Sequence, residues 1–161
     1  ELVAIMKKEI PRKYTVAIEP GRSIVGKSGI LLPKIEYIKQ SSQKHFAVVD
    51  AAMNDFIRPS LYQAEHEVLP CVESLKSREP FDIVGPICET GDWLAKDKNF
   101  SIKKGDYVAI LDVGAYCFSM SSNYNSRPRA VELLVDKKKA FKIIRKRETL
   151  EEMLLNEIQS I

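Results

Sequence analysis

Long apolar runs are missing: no stretch approaches the ~18 to 20 consecutive apolar residues a membrane-spanning helix needs, so no membrane partner is expected. A secretory leader is not expected either, because Glu1-Leu2-Val3-Ala4-Ile5-Met6-Lys7-Lys8 carries its charge on the wrong side of a short apolar stretch. A first residue of Glu1 rather than Met leads to the expectation of further sequence upstream. Cysteine is scarce, with only Cys71, Cys88 and Cys117, no close pair and no metal-ligand spacing. An odd count without a secretory signal points to reduced thiols and a cytoplasmic location. Two distant histidines, His45 and His66, without Cys-x-x-Cys partners argue against a zinc site. Charge of one sign is also lacking, since 25 basic and 22 acidic residues leave a net +3. The densest basic cluster, Lys137-Lys138-Lys139 with Lys142, Arg145, Lys146 and Arg147, has no aromatic platform. It reads as a solvated hairpin around the apolar run Phe141 to Ile144, and no nucleic-acid partner is expected.

What is present is enough for one domain with a full core: 161 residues, 45% hydrophobic and 29% charged. No internal repeat or low-complexity linker divides it. Leu2, Ile5, Met6 and Ile10 form a helical face that Pro11 ends. Tyr14-Thr15-Val16-Ala17-Ile18 is a nearly all-apolar, β-branched run, which predicts a strand buried on both faces as in a parallel α/β sheet. A Glu19-Pro20-Gly21-Arg22-Ser23 turn and a short helical stretch to about Gly29 follow.

From Ile30 the pattern changes to short β-type runs separated by turns: 30–39, 46–49, 66–72, 81–84, 107–111, 130–135 and 140–145. Ile35-Glu36-Tyr37-Ile38-Lys39 alternates like a half-exposed antiparallel strand. Thr149-Leu150-Glu151-Glu152 is a capping box, followed by an apolar helical face of Leu150, Met153, Leu154 and Ile158. The expected fold class is mainly β with some α: residues 1–29 as the last βα unit of a (β/α)8 barrel, and residues 30–161 as an antiparallel β-barrel or sandwich domain with a C-terminal helix. One βα unit cannot bury itself, so its partner strands are expected outside this sequence.

Four segments carry candidate chemistry. Val16 to Ser23 runs a strand into Gly-Arg-Ser at a helix start, which suits a phosphate or is simply a tight turn hinged at Gly21. Asp50 to Tyr62 sets polar residues between apolar ones. There Arg58 is either a surface ion-pair partner or a two-pronged grip for a carboxylate, with Tyr62 just over a turn away. Val84 to Asp92 bends around Cys88, which reads as a small buried hydrophobe or as a thiol able to exchange protons. Glu89 beside it is a solvated loop acid or a site for an ammonium group. Asp112 to Arg129 is a long irregular stretch of a kind that is commonly functional. In it Tyr116 either fills a core edge or, following Gly114-Ala115, lets another group approach closely.

Taken in order, these segments resemble the diaminopimelate decarboxylase family, pyridoxal-phosphate (PLP) enzymes of the alanine racemase/group IV decarboxylase-like fold. The carriers are Glu19 to Ser23, Met53-Asn54-Asp55-Phe56-Ile57-Arg58-Pro59, Gly85-Pro86-Ile87-Cys88-Glu89-Thr90-Gly91-Asp92, and Gly114-Ala115-Tyr116 through Asn123-Tyr124-Asn125-Ser126-Arg127-Pro128. The resemblance spans about Val16 to Leu155 and implies decarboxylation of meso-2,6-diaminopimelate to L-lysine in lysine biosynthesis. It implies that Glu19, Pro20, Gly21, Arg22 and Tyr116 contact PLP, with Arg22 and Tyr116 also facing the substrate. Arg58 and Tyr62 would hold the distal carboxylate, Glu89 the distal ammonium, and Cys88 would return a proton after carbon dioxide leaves. A homodimer with shared sites is implied, the Cys88 loop serving the neighbouring subunit.

The departures are specific. The lysine that holds PLP in this family lies on an early barrel strand, and none of the lysines here ends a buried strand. By that resemblance the chain alone is inactive and binds no PLP covalently. Thr90 and Cys117 stand where Ser and Gly are the family's choice, and Cys117 would add bulk near the cofactor. The alternatives are an ornithine-, arginine- or carboxynorspermidine-type decarboxylase of the same fold, or a non-catalytic β-domain fragment.

Overall fold

The alternation around Ile35 does form a strand, and the rest of the main sheet assembles beside it. The computed structural model describes residues 1–72, 77–138 and 140–157. Strand β1 (Ile35–Gln40) pairs antiparallel with β2 (His45–Val49), burying Ile35 and leaving Tyr37 exposed. A bulge between Ile35 and Tyr37 interrupts the register. β2 then pairs parallel with β4 (Glu79–Val84), which pairs antiparallel with β5 (Trp93–Phe100), giving the order β1-β2-β4-β5. A parallel pair needs a crossover between its strands. Here residues 50–78 make it, and they carry helix α3 (Arg58–Tyr62) and strand β3 (Val68–Pro70).

β3 pairs antiparallel with β6 (Val108–Ile110), and β7 (Glu132–Val135) with β8 (Phe141–Arg145), as separate two-stranded sheets. Every expected β-type run therefore contains a strand. The run from Ile30 is shortened by Pro33, which cannot donate to a ladder, so only isolated bridges at Leu31 and Lys34 precede β1. Strand β5 is an addition that the polar run Lys96-Asp97-Lys98-Asn99 conceals. It is an edge strand, and Asp97 interrupts it with a left-handed φ of 52°.

The core lies between the main sheet and the β3–β6 pair, where Ile35, Ala47, Val49, Phe81, Ile83, Leu94, Val108 and Ile110 pack with Phe56. Phe56 is fully buried, a contribution of ~1.5–3 kcal/mol relative to leaving it exposed. By contrast Leu133, Leu134, Phe141, Ile143 and Ile144 of the β7–β8 hairpin are all exposed. Its expected basic turn is present, with Asp136 accepting from the Lys138 and Ala140 amides, while Lys139 lies outside the described residues.

Two expectations about the ends need correction. Helix α1 (Leu2–Glu9) forms before Pro11, but Tyr14 to Ile18 is neither a strand nor buried. No strand among the described residues lies beside it to pair its backbone, so Tyr14, Val16 and Ile18 stay exposed. At the other end the capping box is present: Thr149 Oγ1 accepts from the Glu152 amide at 3.2 Å, and Glu152 Oε2 accepts from the Thr149 amide at 2.8 Å. Helix α4 (Leu150–Met153) is only four residues long, its Leu150 is exposed, and Ile158 lies outside the described residues.

The short helix α2 (Arg22–Val25) and the 3-10 turn Gly26–Ser28 are fastened to the loop after β6. The Gly114 amide donates to Gly26 O at 2.9 Å and the Val113 amide to Gly29 O at 3.1 Å. A Cβ at Gly114 would overlap the Val25 carbonyl oxygen, so only glycine permits this contact. Gly114→Ala should therefore lower the urea-unfolding midpoint, with a loss of roughly 1–3 kcal/mol from the forced separation of the two segments.

Candidate functional site

The segment after β2 is organised by buried polar groups. Asn54 and Asp55 are 2% and 8% exposed, an unusual fate for such residues unless their hydrogen bonds are met. Asp55 Oδ2 accepts from the Ala52 amide at 2.9 Å. Asn54 exchanges bonds with the loop after β6: its Nδ2 donates to Ser122 O at 3.2 Å, and the Ser122 amide donates to Asn54 O at 2.9 Å. Arg127 completes the staple, donating through Nε to Asn54 Oδ1 at 3.0 Å and through Nη2 to Asp50 O at 2.6 Å. The Asn-Asp and Asn-Ser-Arg motifs are thus two halves of one joint. Burial raises the Asp55 pKa, against the lowering effect of the Ala52 amide and of Arg127.

Cys117 belongs to this joint rather than to an open site. Tyr116 takes a left-handed φ of 60°, and the next side chain turns inward, where Cys117 packs against the core and donates to Asp55 O at 3.4 Å. Burial, then the nearby Asp55 carboxylate, pushes its thiol up to about 12. The expected bulk beside a cofactor is therefore directed into the core.

The Cys88 loop is built around a second buried acid. Asp92 is 4% exposed, and its carboxylate lies where a Cβ of Gly85 would be. Its Oδ2 accepts from the Ile87 amide and its Oδ1 from the Met53 amide, both at 2.7 Å. The Gly85 amide closes the loop onto Asp92 O at 3.0 Å, and the Ser60 hydroxyl donates to Gly91 O. Loop 85–92 is thereby fixed to both the Met53 segment and α3. Cys88 and Glu89 project from it exposed, so Cys88 is not the buried hydrophobe that spacing alone allows.

A third grouping gathers around α2 and α3. A Cβ on Gly21 would lie 2.7 Å from the Tyr116 hydroxyl, so the Glu19-to-Arg22 turn and Tyr116 are neighbours across the site. Arg22 Nη2 donates to Asp112 O at 3.5 Å. Arg58 makes no ion pair among the described residues; its guanidinium stands 5.5 Å from the Tyr62 ring centroid. The Nε atoms of Arg22 and Arg58 are both buried without a hydrogen-bond partner. Buried guanidinium donors left open in this way suit an anionic group brought by a ligand. Glu19 and Pro20 are exposed at the rim, and so is Tyr62.

His66 is the residue that sequence reasoning passes over, because one histidine before a short strand carries no pattern. It is 5% exposed, meets the Phe56 ring edge-on at 4.7 Å, and places Nδ1 2.8 Å from Leu111 O. A carbonyl only accepts, so Nδ1 carries the proton. Burial lowers its pKa most; the Leu111 bond opposes this, and the Arg22 and Arg58 guanidiniums add to the lowering. Cys88 and Glu89 share no hydrogen bond, ion pair or ring contact with Gly21, Arg22, His66 or Tyr116 among the described residues.

Asp92 supplies a pH-dependent test of the loop's foundation. Its pKa is raised above the ordinary 3.8, chiefly by burial and against the two amides that bond it. The folded state therefore favours the protonated acid: its contribution is full below the ordinary value and is lost as pH rises through the folded pKa. Asp92→Asn does not titrate and cannot accept through its NH2 group, costing about 1–3 kcal/mol in acid. Urea unfolding from pH 3 to 7 should show the wild-type advantage shrinking as pH rises.

Comparison with known proteins places these features in a family. Residues 14–114 match the pyridoxal-dependent decarboxylases, C-terminal sheet domain. The diaminopimelate decarboxylase of Pseudomonas aeruginosa is 49% identical over 154 residues, covering 96% of this chain and 37% of that protein. The Aquifex aeolicus diaminopimelate decarboxylase is 50% identical over 137 residues, covering 84% of this chain and 32% of that protein. The crystal structure of Helicobacter pylori diaminopimelate decarboxylase complexed with L-lysine superposes with a TM-score of 0.84 at 43% identity, over 95% of this chain and 38% of that one. The chain thus spans about a third of the length of these relatives. By that match and these identities the chain belongs to the pyridoxal-dependent decarboxylases and carries their C-terminal sheet domain.

Proposed function

We propose that this chain is the C-terminal, substrate-reading part of a diaminopimelate decarboxylase, which converts meso-2,6-diaminopimelate to L-lysine in the cytoplasm. The observation that carries the reading is the pair of buried Nε donors of Arg22 and Arg58 that have no partner, beside a turn that only glycine permits so close to Tyr116. The relatives' names point to the same substrate.

PLP fits this arrangement. The Glu19-Pro20-Gly21-Arg22 turn offers backbone and guanidinium donors to a phosphate, and Tyr116 stands across from it. When bound, PLP supplies the electron sink that decarboxylation needs. The residues of this chain do the rest by binding and proton transfer. Arg58 grips the substrate's distal carboxylate in charge-assisted bonds, with Tyr62 bordering it. Glu89 accepts from the distal ammonium, so a substrate lacking either group leaves a charged partner unmet and is rejected. The exposed Cys88 thiol hands its proton to the carbon that has lost carbon dioxide.

In this reading residues 1–29 are the end of a PLP-binding (β/α)8 barrel and residues 30–161 the β domain, a barrel or sandwich with its helical tail. The exposed Tyr14, Val16 and Ile18 and the apolar residues of α1 are surface that the barrel would cover. The lysine that anchors PLP is supplied by that barrel, so the isolated chain should lack activity. The partner is a second copy of the enzyme. The exposure of Cys88 and Glu89 favours a loop that completes the neighbouring subunit's site.

Carbon dioxide release by the complete protein carrying this chain, offered meso-diaminopimelate, ornithine or arginine in turn, tests the reading. Diaminopimelate should be turned over preferentially; preference for ornithine or arginine would assign the chain to those decarboxylases, and no turnover of any would leave a non-catalytic β domain. Within the active enzyme, Cys88→Ala should lower kcat by roughly 10²–10⁴-fold with little change in L-lysine affinity, as expected for an acid used after binding. An unchanged kcat would remove Cys88 from the proton-transfer role.

A further inference from the structure

His66 feels the charge of both arginines and is tied to a neighbour of each: the ring two residues before Arg58, and the backbone next to the carbonyl that seats Arg22. On one side its ring meets the edge of Phe56, two residues before Arg58, at a centroid distance of 4.7 Å. On the other its Nδ1–H donates to Leu111 O at 2.8 Å, while the next carbonyl, that of Asp112, accepts from Arg22 at 3.5 Å. Asp112 holds a left-handed φ of 60°, a conformation disfavoured outside glycine, which turns these two carbonyls toward different partners. The Leu111 amide is also bonded, to Glu67 O at 2.9 Å, so the stretch around His66 is laced to the end of β6. Leu111 O is thus occupied by His66, leaving Asp112 O as the seat for Arg22.

The protonation state follows from the same contacts. With its proton on Nδ1, the ring presents a bare Nε2, which is buried and has no partner. A neutral ring can sit beside two guanidiniums without repelling them; a charged one would be a third cation in the same space. Arg22 and Arg58 both oppose its protonation, as does burial, while Asp112 and the Leu111 carbonyl favour it.

We infer that His66 is a positioning residue that holds the Arg22 and Arg58 guanidiniums in register to receive the carboxylate that the substrate retains. The inference rests on the decarboxylase reading of the site. It assigns His66 no contact with PLP and no proton transfer; its effect passes chiefly through the Leu111–Asp112 backbone, the contact with the Phe56 ring being the lesser support.

The product L-lysine keeps the retained carboxylate, so its equilibrium binding reads the grip without turnover. In the complete enzyme His66→Phe keeps the ring and its contact with Phe56 but loses the donor to Leu111. It should weaken L-lysine binding, measured by calorimetry, and raise KM for meso-diaminopimelate by about tenfold each, leaving kcat within about twofold. His66→Asn places an amide N–H near the Nδ1 position and should restore both constants to within about threefold of wild type. Should His66→Phe fail to fold, His66→Gln, whose amide falls near the Nε2 position instead, takes its place with the same expected loss. Unchanged lysine affinity in the donor-less variant would overturn the inference, and so would an equal loss in His66→Asn, which would mark a packing role only. A wild-type enzyme that neither binds nor releases lysine would instead overturn the decarboxylase reading, and this inference with it.

Discussion

The carboxylate of Asp92 is the constraint on which the site depends. It is buried, and it spans two segments by accepting one backbone amide from each. Taking a carboxyl group out of water is costly unless its oxygens find donors, and the two amides offset part of that cost while burial still favours the protonated acid. The acid therefore works as a brace: Met53 and Ile87 stay in place because moving either one leaves a buried carboxyl oxygen without its amide donor. Its bulk also dictates Gly85, since any side chain there would overlap the carboxylate. From this brace follow the closed shape of loop 85–92 and the outward projection of Cys88 and Glu89.

A second brace stands a short way along the same segment. Asn54, Asp55, Ser122 and Arg127 join the loop after β2 to the loop after β6, and Cys117 adds its thiol from below. Because the loop after β6 is also locked to α2 through Gly114, three chain segments far apart in sequence form one rigid surface. Such a surface can hold guanidinium donors open toward a ligand. A flexible one would let Arg22 and Arg58 swing to solvent or to the nearest carboxylate, and the ligand would then have to be bound at the expense of that interaction.

Much of this was legible in the residues. Runs such as Phe46-Ala47-Val48-Val49 and Phe81-Asp82-Ile83-Val84 became strands because β-branched and aromatic residues suit a pleated, buried surface. The four motif segments drew attention through glycine, proline and polar residues at odds with a core, and they are the segments that meet. Other features were hidden. β5 reads as a polar loop because its outer face is charged, and the apolar Tyr14-to-Ile18 run reads as a buried strand although no neighbour among the described residues pairs with it. Whether a run is a strand depends on what lies beside it, which period and propensity do not record.

The sequence by itself determined the inventory: a mainly β chain, a capping box at Thr149, a thiol and an acid adjacent at residues 88 and 89, and arginines at 22 and 58. These are local properties, set by side-chain chemistry and by the backbone preferences of glycine and proline. Only the tertiary structure decided the relations among them. It turned Cys117 into the core while leaving Cys88 exposed, set the Tyr116 hydroxyl against Gly21, and brought His66 within the electrostatic reach of two arginines 44 positions before it and 8 before it in the chain. The reason is that buried polar groups must find partners, and those partners lie wherever the crossover and the sheet register bring them, at separations no short sequence window spans.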